Sequence, residues 1–238
     1  MNKNEVIVYW GMLTQPDRQN LVNLIWSPPA PLITTLPSGH SNRVEGNYRA
    51  CTAFKELNKN IFVVKNAFDA KVKMSGDFEN PSFEGEDIWM PRAAGLKNRY
   101  SVDYDIRWGF FCEEPLEMRV GPPYFHNTSD RSSAHIAVGQ FNIGKWFRGA
   151  NPCYILWEGQ DELTLKKDEP MLYFEFMTDK KVILKQYDAT ADIVNMANEV
   201  GNITNYVKLE PLSELYERFF KTNRRAKILK LIKDNLLE

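Results

Sequence analysis

The densest concentration of residues able to do chemistry lies between Arg119 and Arg148. The run Arg119-Val-Gly-Pro-Pro-Tyr-Phe-His126 leads to a polar stretch from Asn127 to Ser133, then to His135, and then to Gly139-Gln-Phe-Asn-Ile-Gly-Lys-Trp-Phe-Arg148. Proline has no N–H to give a strand ladder. Pro122 and Pro123 should therefore end a strand and leave Tyr124, Phe125 and His126 as a rigid loop above a sheet. Gln140 and Asn142 alternate with Phe141, which would send both amides to one face of a strand. Arg119, His126, Gln140, Asn142, Trp146 and Arg148 together suit a polar planar or anionic ligand, because amides both donate and accept and a guanidinium fork matches a carboxylate. The competing reading is scaffolding, with the amides satisfying loop backbone and Trp146 filling a core.

The remaining reactive side chains point away from most familiar chemistries. The histidines are His40, His126 and His135. The iron-binding facial triad needs two imidazoles and a carboxylate, one pair of them on neighbouring strand positions. Neither His-x-Asp nor His-x-Glu occurs, and His126 precedes Asp130 in a loop-like context. An oxygenase-like enzyme acting on a peptide or amino acid would need His126 or His135 to meet a carboxylate such as Asp103 or Asp105 in space. The chain has no Gly-x-Ser-x-Gly elbow, phosphate loop, dinucleotide fingerprint or His-Glu-x-x-His helix. Cys51, Cys112 and Cys153 are odd in number and lack Cys-x-x-Cys spacing. They fit reduced thiols in apolar stretches, and a Cys112–His126 pair is the reactive alternative. The acidic run Glu84-Gly-Glu-Asp lacks the ligand spacing of a calcium loop and reads as a solvated surface. No metal or cofactor is expected.

A second constellation is cationic. From Arg218 to Lys233 the chain carries Arg218, Lys221, Arg224, Arg225, Lys227, Lys230 and Lys233 and no acidic residue. This is a basic amphipathic helix, suited to RNA, phosphate or an acidic protein partner. Its alternative is a surface helix docked through Ile228, Ile232 and Leu236, with its cations in water.

The elements that position these residues read as mainly β. Val6 to Trp10 forms a first strand, and Pro28 to Arg43 a long loop. Ala50, Ala53, Phe54 and Leu57 mark the buried face of a helix capped by Asn47 and ended by Asn58. Ile61 to Lys65 and Ala70 to Met74 read as paired strands, followed by a loop from Gly76 to Asp87. Further strands are expected at Tyr104 to Cys112, Leu116 to Val120, His135 to Phe141, Tyr154 to Trp157, Glu162 to Leu165, Met171 to Met177 and Val182 to Tyr187. Leu172, Phe174 and Phe176 share one face, Tyr173 and Glu175 the other, and Thr178-Asp-Lys turns the chain as a hairpin. The period then changes to helical. Asp188 caps a helix carrying Ile193, Val194 and Ala197 that Gly201-Asn202 should break, and Pro211 opens the next, with Leu215, Tyr216, Phe219 and Phe220 on its apolar side.

The 238 residues are 43% apolar and 26% charged, enough to fill a core without disulfide or metal staples. Thirty basic against 31 acidic residues exclude a global pull toward nucleic acid or an anionic membrane. No apolar run reaches the length of a membrane span, and Gln15, Pro16 and Asp17 cut short the first one. The expected location is the cytoplasm, which makes the sequons at Asn127 and Asn202 accidental. The expected architecture is α+β in one domain, 1–238. Residues 1–187 would form an antiparallel β-sandwich or jelly-roll-like core with one N-proximal helix, and 188–238 a C-terminal helical extension packed on it.

The order of motifs resembles that of a domain-of-unknown-function family of bacteria and tailed phages. The resemblance spans roughly residues 27 to 225. It rests on Tyr48-Arg-Ala-Cys-Thr-Ala-Phe, Asn60-Ile-Phe-Val-Val, Ala67-Phe-Asp, the Gly-Pro-Pro element, the segment Gly139 to Trp146, and Lys167-Asp-Glu-Pro. Glu169-Pro170 and Trp146 match the family's pattern, whereas His126 and the second proline follow it less closely. No activity attaches to the family, so the resemblance implies only a phage-borne protein acting in a bacterial host. The expected function is a non-catalytic binding protein for a host or phage protein, another macromolecule or a small ligand, with a homo-oligomer as one arrangement. An oxygenase-like enzyme and a virion component are the alternatives.

Overall fold

The computed structural model describes residues 4–14, 26–36, 51–79, 81–85, 89–93, 98–104, 106–206 and 211–237. Its class is α+β, with about 39% strand, 25% helix and several antiparallel sheets. One sheet runs β12 (Gly149–Ala150), β8 (Trp108–Cys112), β1 (Glu5–Met12), β16 (Lys181–Gln186). A second runs β10 (Ala134–Ile136), β13 (Cys153–Leu156), β7 (Tyr100–Tyr104), β6 (Trp89–Ala93). The third has five strands, β11 (Gly139–Asn142), β9 (Glu117–Gly121), β15 (Pro170–Phe176), β3 (Ile61–Lys65), β2 (Ala30–Pro31). A fourth runs β14 (Glu162–Leu165), β4 (Ala70–Gly76), β5 (Pro81–Glu84). Among these pairings only β1 with β16 is parallel. The helices are α1 (Leu32–Thr35), α2 (Thr52–Asn58), α3 (Ala191–Tyr206), α4 (Leu212–Phe220) and α5 (Asn223–Asp234).

All four sheets send alternate residues into one apolar cluster, including Val8 and Trp10 of β1, Val64 of β3, Val102 of β7, Leu163 of β14 and Phe174 of β15. Alternation puts Ile7 and Tyr9 on the other side of β1, where with Phe111 they join a second cluster. That cluster is completed by Ile193, Val200, Leu215, Phe219, Ile228 and Ile232, so the C-terminal helices close the outer face of the β8–β1 pair. Tyr187 lies across this face above two glycines paired with each other, Gly11 and Gly109. A Cβ on either would stand 2.5 Å from the tyrosine. The Tyr187 hydroxyl donates to the Gly109 carbonyl at 3.0 Å.

Several expected connections differ. The strands either side of Thr178-Asp-Lys form no hairpin, since β15 pairs with β3 and β9 while β16 leaves to join β1. Asn60 explains the parting. Its amide donates to the carbonyls of Thr178 and Lys180 at 2.7 and 2.9 Å and accepts from the Val182 N–H at 3.1 Å, taking backbone groups of the turn for itself. β3 and β4 likewise belong to different sheets, because Asn66 between them pairs its backbone with Glu169 and Asp168. The stretches expected as single strands from Tyr104 to Cys112 and from His135 to Phe141 each split between two sheets, at Ile106–Arg107 and at Ala137–Val138. The expected loop from Gly76 contains β5, and the expected loop after Pro28 contains β2 and α1.

Helix α3 runs on through Gly201-Asn202, and Asp188 lies ahead of it; Val194 N–H bonds instead to Thr190. Asn47, Ala50, His40, Glu86, Asp87 and Asp105 lie outside the described residues. No helix among the described residues is long and apolar enough to cross a membrane.

Candidate binding groove

Strand β15 positions the site. Its core face holds Leu172, Phe174 and Phe176, and its outer face Tyr173 and Glu175. Register then sets the outer neighbours: Glu175 lies between Arg119 of β9 and Ile61 of β3, and Arg119 lies opposite Gln140 of β11. Arg119 and Glu175 form an ion pair at 3.2 Å across the strands. Beside them a small cluster of Leu32, Leu36, Ile61, Val63 and Tyr173, with Phe54 packed against it, covers part of the face.

The rest of the face is open. A groove of about 410 Å³ is bounded by Leu57, Arg119, Tyr124, Phe125, Val138 and Glu175. Leu57, Ile61 and Glu175 also line an adjoining depression of about 590 Å³ that reaches Lys59, Met177 and Asp179. Seven large apolar side chains are exposed among the described residues, and five of them line this continuous groove: Leu57, Tyr124, Phe125, Val138 and Met177. Leu57 is the most open at 78%. Its expected place on the buried face of a helix is therefore corrected. α2 has seven residues, under two turns, and its inward face is Phe54 with Asn58, whose amide donates back to the Phe54 carbonyl at 2.8 Å.

His126 fastens the wall of the groove. Its Nε2 lies 3.3 Å from the Thr35 carbonyl and its Nδ1 2.6 Å from the Tyr173 hydroxyl. A carbonyl can only accept, so Nε2 carries the proton and Nδ1 accepts from tyrosine. Burial lowers the imidazole pKa against the opposing effect of the Thr35 bond, which keeps the ring neutral near pH 7. Burial also raises the pKa values of Tyr173 and Tyr124, the latter further through Glu175. Tyr124 meets Tyr173 edge-on at 5.0 Å, and Phe125 meets Phe54 at 5.4 Å, so the Pro-Pro loop and α2 lean on each other.

Three of the six residues expected to form a ligand site thus belong to this face: Arg119, Gln140 and His126. The other three do not. Asn142 is buried and caps a turn, accepting from the N–H groups of Leu116, Gly144 and Lys145 and donating to Glu117 at 3.0 Å. β11 does alternate, but Asn142 meets the turn after it while Gln140 is exposed. Trp146 is buried against Tyr216 and Phe219, and Arg148 lies over the Phe141 ring at 5.8 Å. His135 stacks on Trp157 at 4.5 Å. Cys112 donates to the Ile7 carbonyl at 3.4 Å, and burial pushes its thiol up to about 11, so it makes no pair with His126.

The cationic C-terminal stretch divides as well. Arg225 turns inward, donating to the carbonyls of Gly144 and Glu113 and lying 4.4 Å over the Phe220 ring. Lys233 pairs with Glu113 at 2.7 Å, and Glu113 also accepts from the Tyr9 hydroxyl at 2.9 Å. Arg224 approaches Glu199 at 3.5 Å. Lys221, Lys227 and Lys230 are exposed. Arg225 and Lys233 tie α5 to the β8–β9 turn, which removes them from any continuous basic face.

Sequence reasoning reached the Pro-Pro loop but missed Leu57, Val138 and Met177. The signal that was available is the alternation of β15, which put Tyr173 and Glu175 on a face of their own. No known protein-family model matches the chain, and no curated protein sequence matches it.

Proposed function

We propose that this chain is a non-catalytic binding protein whose groove takes an extended, apolar-rich segment of a partner protein. The observation that carries the reading is the gathering of five exposed large apolar side chains along one continuous groove. Apolar surface rimmed by polar groups marks sites of protein interaction. The rim carries both signs, Arg119 and Lys59 against Glu56, Glu175 and Asp179, which favours a neutral peptide over a polyanion. The floor is a sheet face, and an extended segment lays alternate side chains along such a floor while its amides reach Arg119 and Glu175. The resemblance of the motif order to that of a bacterial and phage domain family is the ground for proposing a host or phage protein as the partner, met in the host cytoplasm. A β-sandwich or jelly-roll arrangement is part of the same proposal, supported by the single core cluster drawn from all four sheets.

Panning a random peptide library on the protein tests the reading. Peptides rich in Leu, Met and aromatic residues should be enriched. Leu57→Asp or Val138→Asp should weaken an enriched peptide at least about tenfold, equivalent to about 1.4 kcal/mol, in fluorescence anisotropy. Leu237→Asp, elsewhere on the surface, should leave it unchanged. Peptides indifferent to both groove substitutions would sink the idea.

A further inference from the structure

The hydrogen bonds of His126 form a chain in which every proton points one way. The Phe125 N–H donates to the Tyr173 oxygen, the Tyr173 hydroxyl donates to Nδ1 at 2.6 Å, and Nε2–H donates to the Thr35 carbonyl at 3.3 Å. A second proton on the ring, at Nδ1, would meet the phenol proton head-on. The bond then re-forms only if Tyr173 turns its proton away from the one acceptor it now has. This ring joins three elements: the Pro-Pro loop that carries it, β15 through Tyr173, and α1 through Thr35. Tyr124 and Phe125, the two residues before it, are the exposed aromatics of the groove wall. What holds His126 therefore holds the wall.

The charges around the ring do not favour a second proton. Among the described residues, Lys65 at the end of β3 acts on it and opposes one, and α1 has no titratable side chain. Arg131 donates to the His126 carbonyl at 3.4 Å. The carboxylates of the flanking elements are engaged elsewhere, Glu169 by Ser129, Asp130 by Thr128 and Glu175 by Arg119. Tyr124 and Tyr173 are phenols that burial keeps protonated.

We propose that protonation of His126 loosens the groove wall, so that the groove holds its peptide segment at neutral pH and releases it in mild acid. The proposal rests on the reading of the groove given above and adds its regulation. Burial lowers the ring's pKa from the ordinary 6.5, and a bound segment, by covering the Pro-Pro loop, takes the ring further from water. Affinity is therefore complete above that ordinary value and declines as the pH falls below it, because the free protein takes up a proton that the complex excludes.

The test uses a groove-dependent peptide from the panning, capped at both ends and free of Asp, Glu and His, so that only the protein titrates. Its dissociation constant, read by fluorescence anisotropy on the full chain, should rise at least about fivefold from pH 7 to pH 5. That window lies above the ordinary value of 4.5 for Glu113, so the bond to Lys233 stays intact across it. His126→Gln should flatten the profile, whereas His135→Gln, in another sheet, should keep it. The His126 imidazole of the unliganded parent chain, followed by NMR, should titrate where the affinity breaks, a measurement that serves should His126→Gln fail to fold. A peptide weakened by Leu57→Asp yet bound equally at pH 7 and pH 5 would overturn the gate and leave the groove reading standing. So would a pH response that persists in His126→Gln, or one that breaks away from the imidazole midpoint. Failure to enrich any groove-dependent peptide would overturn both.

Discussion

On the outer face of β1 and β8, Ile7, Tyr9 and Phe111 lie beneath three helices, whereas on the outer face of β9, β15 and β3 the Arg119–Glu175 pair still meets water. Both faces begin as the unused side of a strand whose other side fills the common core. The first is closed by three helices of 16, 9 and 12 residues, latched through Arg225, Lys233 and Tyr187. The second has only α1, the short α2 and a Pro-Pro loop, which cannot cover it. The apolar side chains lining the open face are thus exposed for want of a covering element, and a partner's segment can supply one. The lesson is that a sheet face packed under three helices is closed to water, whereas one bordered by α1, the short α2 and a loop stays partly open.

The sharpest way to break the comparison is to damage the closed face. Ile232→Ala empties a fully buried position between α5 and the sheet and should cost about 2–5 kcal/mol in denaturant unfolding. A loss below 1 kcal/mol, by the same scale, would mean the helices are not integral to the fold. Gly109→Ala comes next. Its added Cβ would meet the Tyr187 hydroxyl at 2.5 Å and Leu13 at 2.6 Å, so overpacking should cost about 1–3 kcal/mol, and Tyr187→Phe should relieve little of it because Leu13 remains.

The latch should also respond to acid. Glu113 has a lowered pKa, chiefly through its bond to Lys233. A depressed carboxylate contributes stability that is present above its ordinary pKa of 4.5 and lost as the pH falls toward the folded value. Glu113→Gln should therefore flatten the acid limb of a stability profile and change it least below that window.

On the open face the effects are smaller and local. Burial lowers the pKa of His126, so its contribution is fully present above its ordinary value of 6.5 and declines as the pH falls below it. The protection of the Phe125 and His126 amides against hydrogen exchange, taken relative to the intrinsic rate at each pH, should fall between pH 7 and pH 5 in the parent chain, and that fall should be absent in His126→Gln. Smallest of all, Leu57→Asp should change stability by no more than about 0.5 kcal/mol while removing peptide binding, since the side chain is 78% exposed. A large loss of stability there would show that Leu57 belongs to a core.

Much of the local structure was legible because it depends on near neighbours. The alternation of Leu172, Phe174 and Phe176 against Tyr173 and Glu175 appears in β15 as read, and Ile228 and Ile232 face inward from α5 as their spacing requires. The site was legible only in part. Arg119, Gln140 and His126 reach the open face, but Asn142 was drawn into a turn by three backbone N–H groups, Trp146 was carried to the helical side, and Arg148 lies over the Phe141 ring. Leu57 was misjudged because helical spacing names a face without saying which way so short a helix turns it.

By itself the sequence determined strands such as β3, β9 and β13 to β16, the three C-terminal helices and the apolar sides of β15 and α5, since steric period and hydrophobicity act within a few residues. Only the tertiary structure decided which strands pair, that β16 lies parallel to β1, and which apolar side is left in water. Those outcomes depend on contacts between residues far apart in the chain, such as Asn60 with Thr178, Lys180 and Val182, and no local pattern encodes them.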